Sequence, residues 1–124
     1  MIQLNYRDAK PIYEQIKDGL RKLVITNSLI ANEKLPSVRE MASKLAINPN
    51  TIQKAYRELE AEGYVYTVAG KGTFVAKRKE VLGVRNEELM KEFDEVVTEL
   101  LFLATDGDSL KTRIEQLAKG GEAQ

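Results

Sequence analysis

The sequence predicts a mainly α-helical protein carrying one small β hairpin, in two parts: a first module over residues 1–79 and a second over residues 80–124. Three observations lead there. Apolar residues recur at helical spacing along most of the 124 positions; the period shortens to that of strands only across residues 64–76, around glycines; and charge divides the chain. Residues 1–79 hold 14 Lys and Arg against 8 Asp and Glu, whereas residues 80–124 hold 5 against 11. A net charge of zero therefore conceals a basic module joined to an acidic one, and the basic module is the part suited to a polyanion.

Composition narrows the function classes. A chain of this length, 43% hydrophobic, supports one modest core with an appendage. The absence of cysteine excludes disulfides and thiolate metal sites. No apolar run approaches the roughly 18–20 residues of a membrane span, and the opening MIQLNYRDAK lacks a signal peptide's apolar centre, so a soluble cytoplasmic protein is expected. Without histidine or cysteine, Ser-His and Cys-His nucleophile pairs and the usual zinc sites cannot be assembled. The acidic side chains fall at solvent-facing helical positions and are read as solubilising and ion-pairing groups. AGKGT lacks a phosphate loop's leading glycine and has Gly72 where that loop needs Ser or Thr. Asp106 and Asp108 form a turn and cap without the further ligands of a calcium loop. No enzyme activity, cofactor or metal site is expected.

The elements follow in order. Pro11 suits the first position of a helix, and Ile12, Ile16, Leu20 and Leu23 then share a face to about Thr26. The polar stretch NSLIANEKLP leads to SVRE, in which Ser37 and Glu40 have the capping-box spacing. The short helix that starts there turns Val38, Met41, Ala42 and Leu45 inward. After the turn AINPN, Asn48 serves as N-cap and Pro49 as first residue of a third helix. Ile52, Ala55, Tyr56 and Leu59 form its inward stripe, which makes Tyr56 a core residue, while Asn50, Gln53, Lys54 and Arg57 project from the opposite side.

This third helix orders its charges against its own dipole. Lys54 and Arg57 precede Glu58, Glu60 and Glu62, although the N-terminal end of a helix favours acids. Two helices joined by so tight a turn suggest a helix-turn-helix, whose second helix enters the DNA major groove by its N-terminal residues. Amides and bases belong at that end, and glutamates are tolerable farther along a helix of roughly 21 Å. Gly63 stops the helix, and residues 64–68 and 73–76 then make a hairpin. Its tip, Gly70, Lys71 and Gly72, can act as a wing against the minor groove or its phosphates. Taken alone, GKG reads better as a turn that needs glycine only for its backbone angles.

The run LPSVREMASKLAINPNTIQKAYRELEAEGYVYTVAGKGTFV, with PIYEQI before it, resembles the winged helix-turn-helix domain of the GntR family of bacterial transcription regulators. The NPNT, QKAY and ELE segments and the short tail are similar to its YtrA-type subgroup. The resemblance implies that Arg39, polar residues early in the third helix and the glycine-rich wing contact operator DNA. Position on the helix adds Asn50, Thr51, Gln53 and Lys54, with Arg57 expected on phosphate. Pro49 and Gln53 stand where many relatives have arginine, so base contacts made there by relatives do not transfer.

Residues 80–88, EVLGVRNEE, read as a linker. Beyond it Leu89, Phe93, Val96, Leu100 and Leu103 recur at helical spacing, with Val97, Leu101 and Ala104 widening the stripe. TDGD interrupts the chain, Asp108 is placed to cap, and Leu110, Ile114 and Leu117 mark a shorter helix. The expectation is a C-terminal two-helix dimerisation hairpin joined at Leu89, Phe93, Val96, Val97, Leu100, Leu101 and Leu103; docking on the chain's own first module is the alternative. A homodimer would bind a palindromic, double-stranded operator and repress by occluding a promoter. The tail has no room for an effector domain, and no effector is assigned. A winged helix that binds protein is the competing class, separable by the salt dependence of DNA binding.

Overall fold

The computed structural model describes residues 2–122, and it is mainly helical with one two-stranded antiparallel sheet. Helix α1 spans Ile12–Ile25, α2 Val38–Leu45 and α3 Pro49–Ala61. Strands β1 (Val65–Val68) and β2 (Gly72–Val75) pair in the register Val65 with Val75 and Val68 with Gly72. Helices α4 (Arg78–Phe102) and α5 (Gly107–Glu122) complete the chain.

Local chemistry sets most of these boundaries. The Ser37 hydroxyl accepts from the Glu40 N–H at 3.1 Å while the Ser37 N–H donates to the Glu40 carboxylate at 3.2 Å, completing the expected capping box. Ala46 closes α2 in the left-handed region at φ 55°. The Asn48 side chain then caps α3 by accepting from the Asn50 N–H at 2.8 Å, with Pro49 at the first helical position. At the far end Gly63, φ 89°, donates to Glu60 O and Tyr64 to Leu59 O, a Schellman closure of α3.

The core is built from the apolar stripes. Ile16, Leu20 and Val24 of α1, Met41 and Ala42 of α2, and Ile52, Ala55, Tyr56 and Leu59 of α3 are buried with Leu35, Tyr64, Val65, Val75, Ala76 and Val81. Tyr56 is core, as its place in the stripe requires: it is 4% exposed and donates to Pro36 O at 2.8 Å. The acidic rear of α3 is anchored as well. Lys17 of α1 reaches Glu58 at 3.2 Å and Glu62 at 3.4 Å, so these glutamates fasten α3 to α1.

Two expectations about the tail are corrected. Residues 80–88 are no linker: α4 runs unbroken from Arg78 to Phe102. Val81 is buried in the core, Val84 packs against it, and the Arg78 guanidinium donates to Val24 O and Ile25 O at the end of α1. A single Gly83 in the helix interior costs only about 1 kcal/mol. Compactness divides the chain inside α4, between Asn86 and Glu87, rather than between residues 79 and 80. Asp108 is the second correction. Helix α5 already begins at Gly107, which places Asp108 inside its first turn, where a carboxylate still favours the dipole but does not cap.

Candidate nucleic-acid interface

The face opposite the core gathers residues from α2, α3 and the hairpin. Asn50, Lys54 and Arg57 of α3 are exposed, as is Arg39 of α2; Thr51 and Gln53 are half-buried. Gln53, Arg57 and Glu60 line a concavity of about 320 Å³ together with Val38 and with Thr67 and Thr73 of the hairpin. A neighbouring groove of about 370 Å³ runs between the residues that lead into α2 and the hairpin tip, where Gly70, Lys71 and Gly72 form one wall. Arg39 lies in a separate depression of α2, beside Glu40, Ser43 and Lys44. The sequence-derived residues therefore fall into three neighbourhoods, with Asn50 and Thr51 on the leading turn of α3.

Lys54 departs from the simple outward projection. Its ammonium sits 3.8 Å from the centre of the Tyr13 ring, a cation–π contact that draws it toward α1. Tyr13 was not legible as a member of this face, because its contact with Lys54 joins two helices far apart in the chain.

Charge on the face is mixed: Arg57 shares its concavity with the exposed Glu60, whereas the carboxylate beside Arg39 is engaged in a helix cap. Glu40 is held below the usual carboxylate range, first by the hydrogen bond from the Ser37 backbone, then by that from the Ser37 side chain, with the charges of Lys34 and Lys44 adding to the effect. Its negative charge is thus committed to the α2 cap. Tyr56, at the floor of both grooves, is pushed up to about 12 by burial and then by the Glu40 charge, so it lines the face as a neutral phenol at neutral pH.

The hairpin is wider than its two strands. Asn32 N–H donates to Val75 O, Val75 N–H to Glu33 O and Leu35 N–H to Thr73 O, each at 2.8 Å, and Lys34 bridges Phe74. The leader of α2 is therefore an added edge alongside β2. The outer pair Tyr66 and Phe74 stacks at 5.6 Å, and Tyr66 donates to Asn32 Oδ1 at 2.8 Å. By this route the hairpin shares backbone hydrogen bonds with the segment that leads directly into α2. Lys34, Thr67 and Thr73 join the face through these non-local pairings, which the sequence alone did not signal.

A tri-helical core whose α2 and α3 meet through a three-residue turn, flanked by a glycine-tipped hairpin pinned to the α2 leader, defines a winged helix-turn-helix transcription regulator. The pattern described as bacterial regulatory proteins of the gntR family matches residues 12–75, from α1 through β2. The HTH-type transcriptional repressor YtrA of Bacillus subtilis (strain 168) is 33% identical over 127 residues, covering 98% of this chain and 98% of that protein. A crystal structure of a transcriptional regulator from Oenococcus oeni matches with a TM-score of 0.74 at 34% identity, over 95% of this chain and 99% of the other. The AraR DNA-binding domain, crystallised in complex with an operator, matches with a TM-score of 0.53 at 30% identity, over 60% of this chain and 89% of its own. The chain belongs to the GntR family of transcription regulators, which are DNA-binding proteins and not enzymes. Among the described residues no helix is long and apolar enough to cross a membrane.

Proposed function

We propose that this protein is a cytoplasmic, homodimeric transcriptional repressor that binds a palindromic operator through α3 and the wing and blocks a promoter by occupying it. The observation that carries the reading is the two-sidedness of α3. Its stripe Ile52, Ala55, Tyr56 and Leu59 is buried, whereas Asn50 is exposed on the leading turn and Gln53 and Arg57 face a surface completed by the wing. Amides and guanidinium groups on the leading half of a groove-entering helix are the side chains that hydrogen-bond base edges and phosphates. In this reading Arg39, Asn50, Thr51, Gln53 and Lys54 approach bases or the adjoining backbone, and Arg57, Gly70, Lys71 and Gly72 hold phosphates. The repressor name of the B. subtilis relative and the operator complex of the AraR domain support the direction of regulation and the partner.

The tail supplies the second copy. Between α4 and α5 lies an apolar groove of about 420 Å³, lined by Phe93, Val96, Val97, Leu100 and Leu101 on one side and by Leu110, Ile114 and Leu117 on the other. Leu89, Phe93, Val96, Leu101 and Leu103 are between 43% and 67% exposed, and Met90, Phe102, Ile114 and Leu117 extend the same apolar surface. Each such side chain, if covered, contributes about 1 kcal/mol, which is enough in sum to drive association of two hairpins.

Selection of bound sequences from random duplexes tests the whole reading. Two inverted half-sites related by about one helical turn, or a multiple of it, are expected; enrichment of a lone half-site, or of nothing, overturns it. Leu100→Glu, with the more exposed Leu101→Glu beside it, is expected to sediment as a monomer. A dimer unchanged in both variants removes this interface.

A further inference from the structure

We propose that Lys34, in the leader of α2, is a DNA-backbone contact that holds a phosphate together with Lys71 at the mouth of the groove beside the wing. The inference rests on the DNA-binding reading above and extends it to a residue outside the helix-turn-helix and the hairpin.

Backbone pairing fixes where Lys34 stands. The hydrogen bonds from Val75 to Glu33 and from Leu35 to Thr73, both 2.8 Å, hold its main chain against β2 on either side. Its side chain then passes over Gly72. A Cβ built on Gly72 would lie 2.8 Å from Lys34 Cε and 3.6 Å from its Nζ. Gly72 therefore does two things: it adopts φ 125°, and it leaves empty the space that the lysine stem fills. Lys34 and Lys71 line the same groove, with Ser37 and Gly70 also in its wall.

Neither lysine is engaged in an ion pair among the described residues, although the Lys34 charge acts at longer range on Glu40. Among the described residues no carboxylate lies within ion-pair distance of Lys34 or Lys71; the nearby Glu40 is taken up by the Ser37 cap. An exposed lysine on a mobile stem is ordinarily just solvated. Here packing against the wing restricts the stem before any partner arrives, so less side-chain entropy is lost on contact. Two lysines lining one groove beside a glycine turn that permits close approach fit a phosphodiester, the negatively charged group repeated along the duplex.

Counterion release gives the test. Binding of the full chain to a duplex of arbitrary sequence is followed by fluorescence anisotropy from about 50 to about 200 mM salt, where each phosphate contact contributes about 0.9 to the slope of log K against log salt. Lys34→Met keeps an apolar stem over Gly72 and removes the charge. It is expected to lower the slope by part of about 0.9, since Lys71 stays on the shared phosphate, Lys34→Arg to restore it, and Lys34→Met with Lys71→Met to lower it by the full value of about 0.9. A Lys34→Met protein with the wild-type slope overturns the assignment and leaves the DNA-binding reading intact. A wild-type chain that binds no duplex even at low salt overturns both. If Lys34→Met melts below the wild type, Lys34→Gln is measured in its place against the same two outcomes.

Discussion

Replacing Lys17 by methionine tests why α3 carries its acids at the rear. The ammonium stands 3.2 Å from Glu58 and 3.4 Å from Glu62, with its side chain 15% exposed and theirs 35% and 30%. At an effective dielectric of about 20, one such pair is worth about 5 kcal/mol before solvent is considered. Burial opposes the charged lysine and offsets most of that. Fully exposed pairs net about 0–1 kcal/mol, and loss of one partner from a fully buried pair costs about 3–5 kcal/mol. Lys17 lies between these limits. Its removal also leaves Glu58 and Glu62 one helical turn apart with no cation between them, a like-charge pair that adds a few tenths of a kcal/mol. Lys17→Met should therefore destabilise the protein by about 2 kcal/mol in urea unfolding at fixed protein concentration, with the m-value unchanged. The triple variant Lys17→Met/Glu58→Gln/Glu62→Gln should recover more than half of the loss, since no uncompensated charge is left. A Lys17→Met protein within about 0.5 kcal/mol of wild type would refute the idea that these glutamates anchor the reading helix to α1.

Alkaline pH gives an independent readout. Tyr56 has its folded pKa raised to about 12 from 10.0, so the stability this contributes is complete below pH 10 and is lost as pH rises from there toward 12. Burial lowers the Lys17 pKa, but the hydrogen bond to Glu58 and the charges of Glu62 and Glu58 outweigh it and leave it above 10.5, so its contribution disappears in the same direction. Tyr56→Phe should lose about 1–2 kcal/mol at neutral pH, because Pro36 O loses a 2.8 Å hydrogen bond, and should flatten the alkaline fall; a fall as steep as in the wild type contradicts the assignment to Tyr56. Tyr13→Leu should weaken operator binding about two- to five-fold by releasing Lys54, whereas Tyr13→Phe retains the ring and near wild-type affinity; equal losses in both variants would assign the effect to the tyrosine hydroxyl instead.

Much of the fold could be read residue by residue because its signals are local. The Ser37 and Glu40 cap, the Asn48 cap with Pro49, the stripe from Ile52 to Leu59 and the glycine that ends α3 each depend on groups within a few positions of one another. A helix boundary is settled by which side chain satisfies the first free N–H groups, and a stripe by the 3.6-residue turn. The same locality misled the reading at residues 80–88. Gly83 and the scattered charges look like a connection until Val81 enters the core and Arg78 caps α1.

What the sequence determined by itself was the order and type of the elements up to the wing, the side of α1, α2 and α3 that turns inward, and the separation of basic from acidic halves. Tertiary structure alone decided that the α2 leader joins the wing as an added edge, that Lys17 answers Glu58 from 41 residues away, and that Lys54 turns toward Tyr13. The physical reason is the range of the forces involved. Capping and periodicity act within a few residues along the chain, whereas edge pairing, ion pairing and ring contact depend on which distant segments the core brings within a few ångströms.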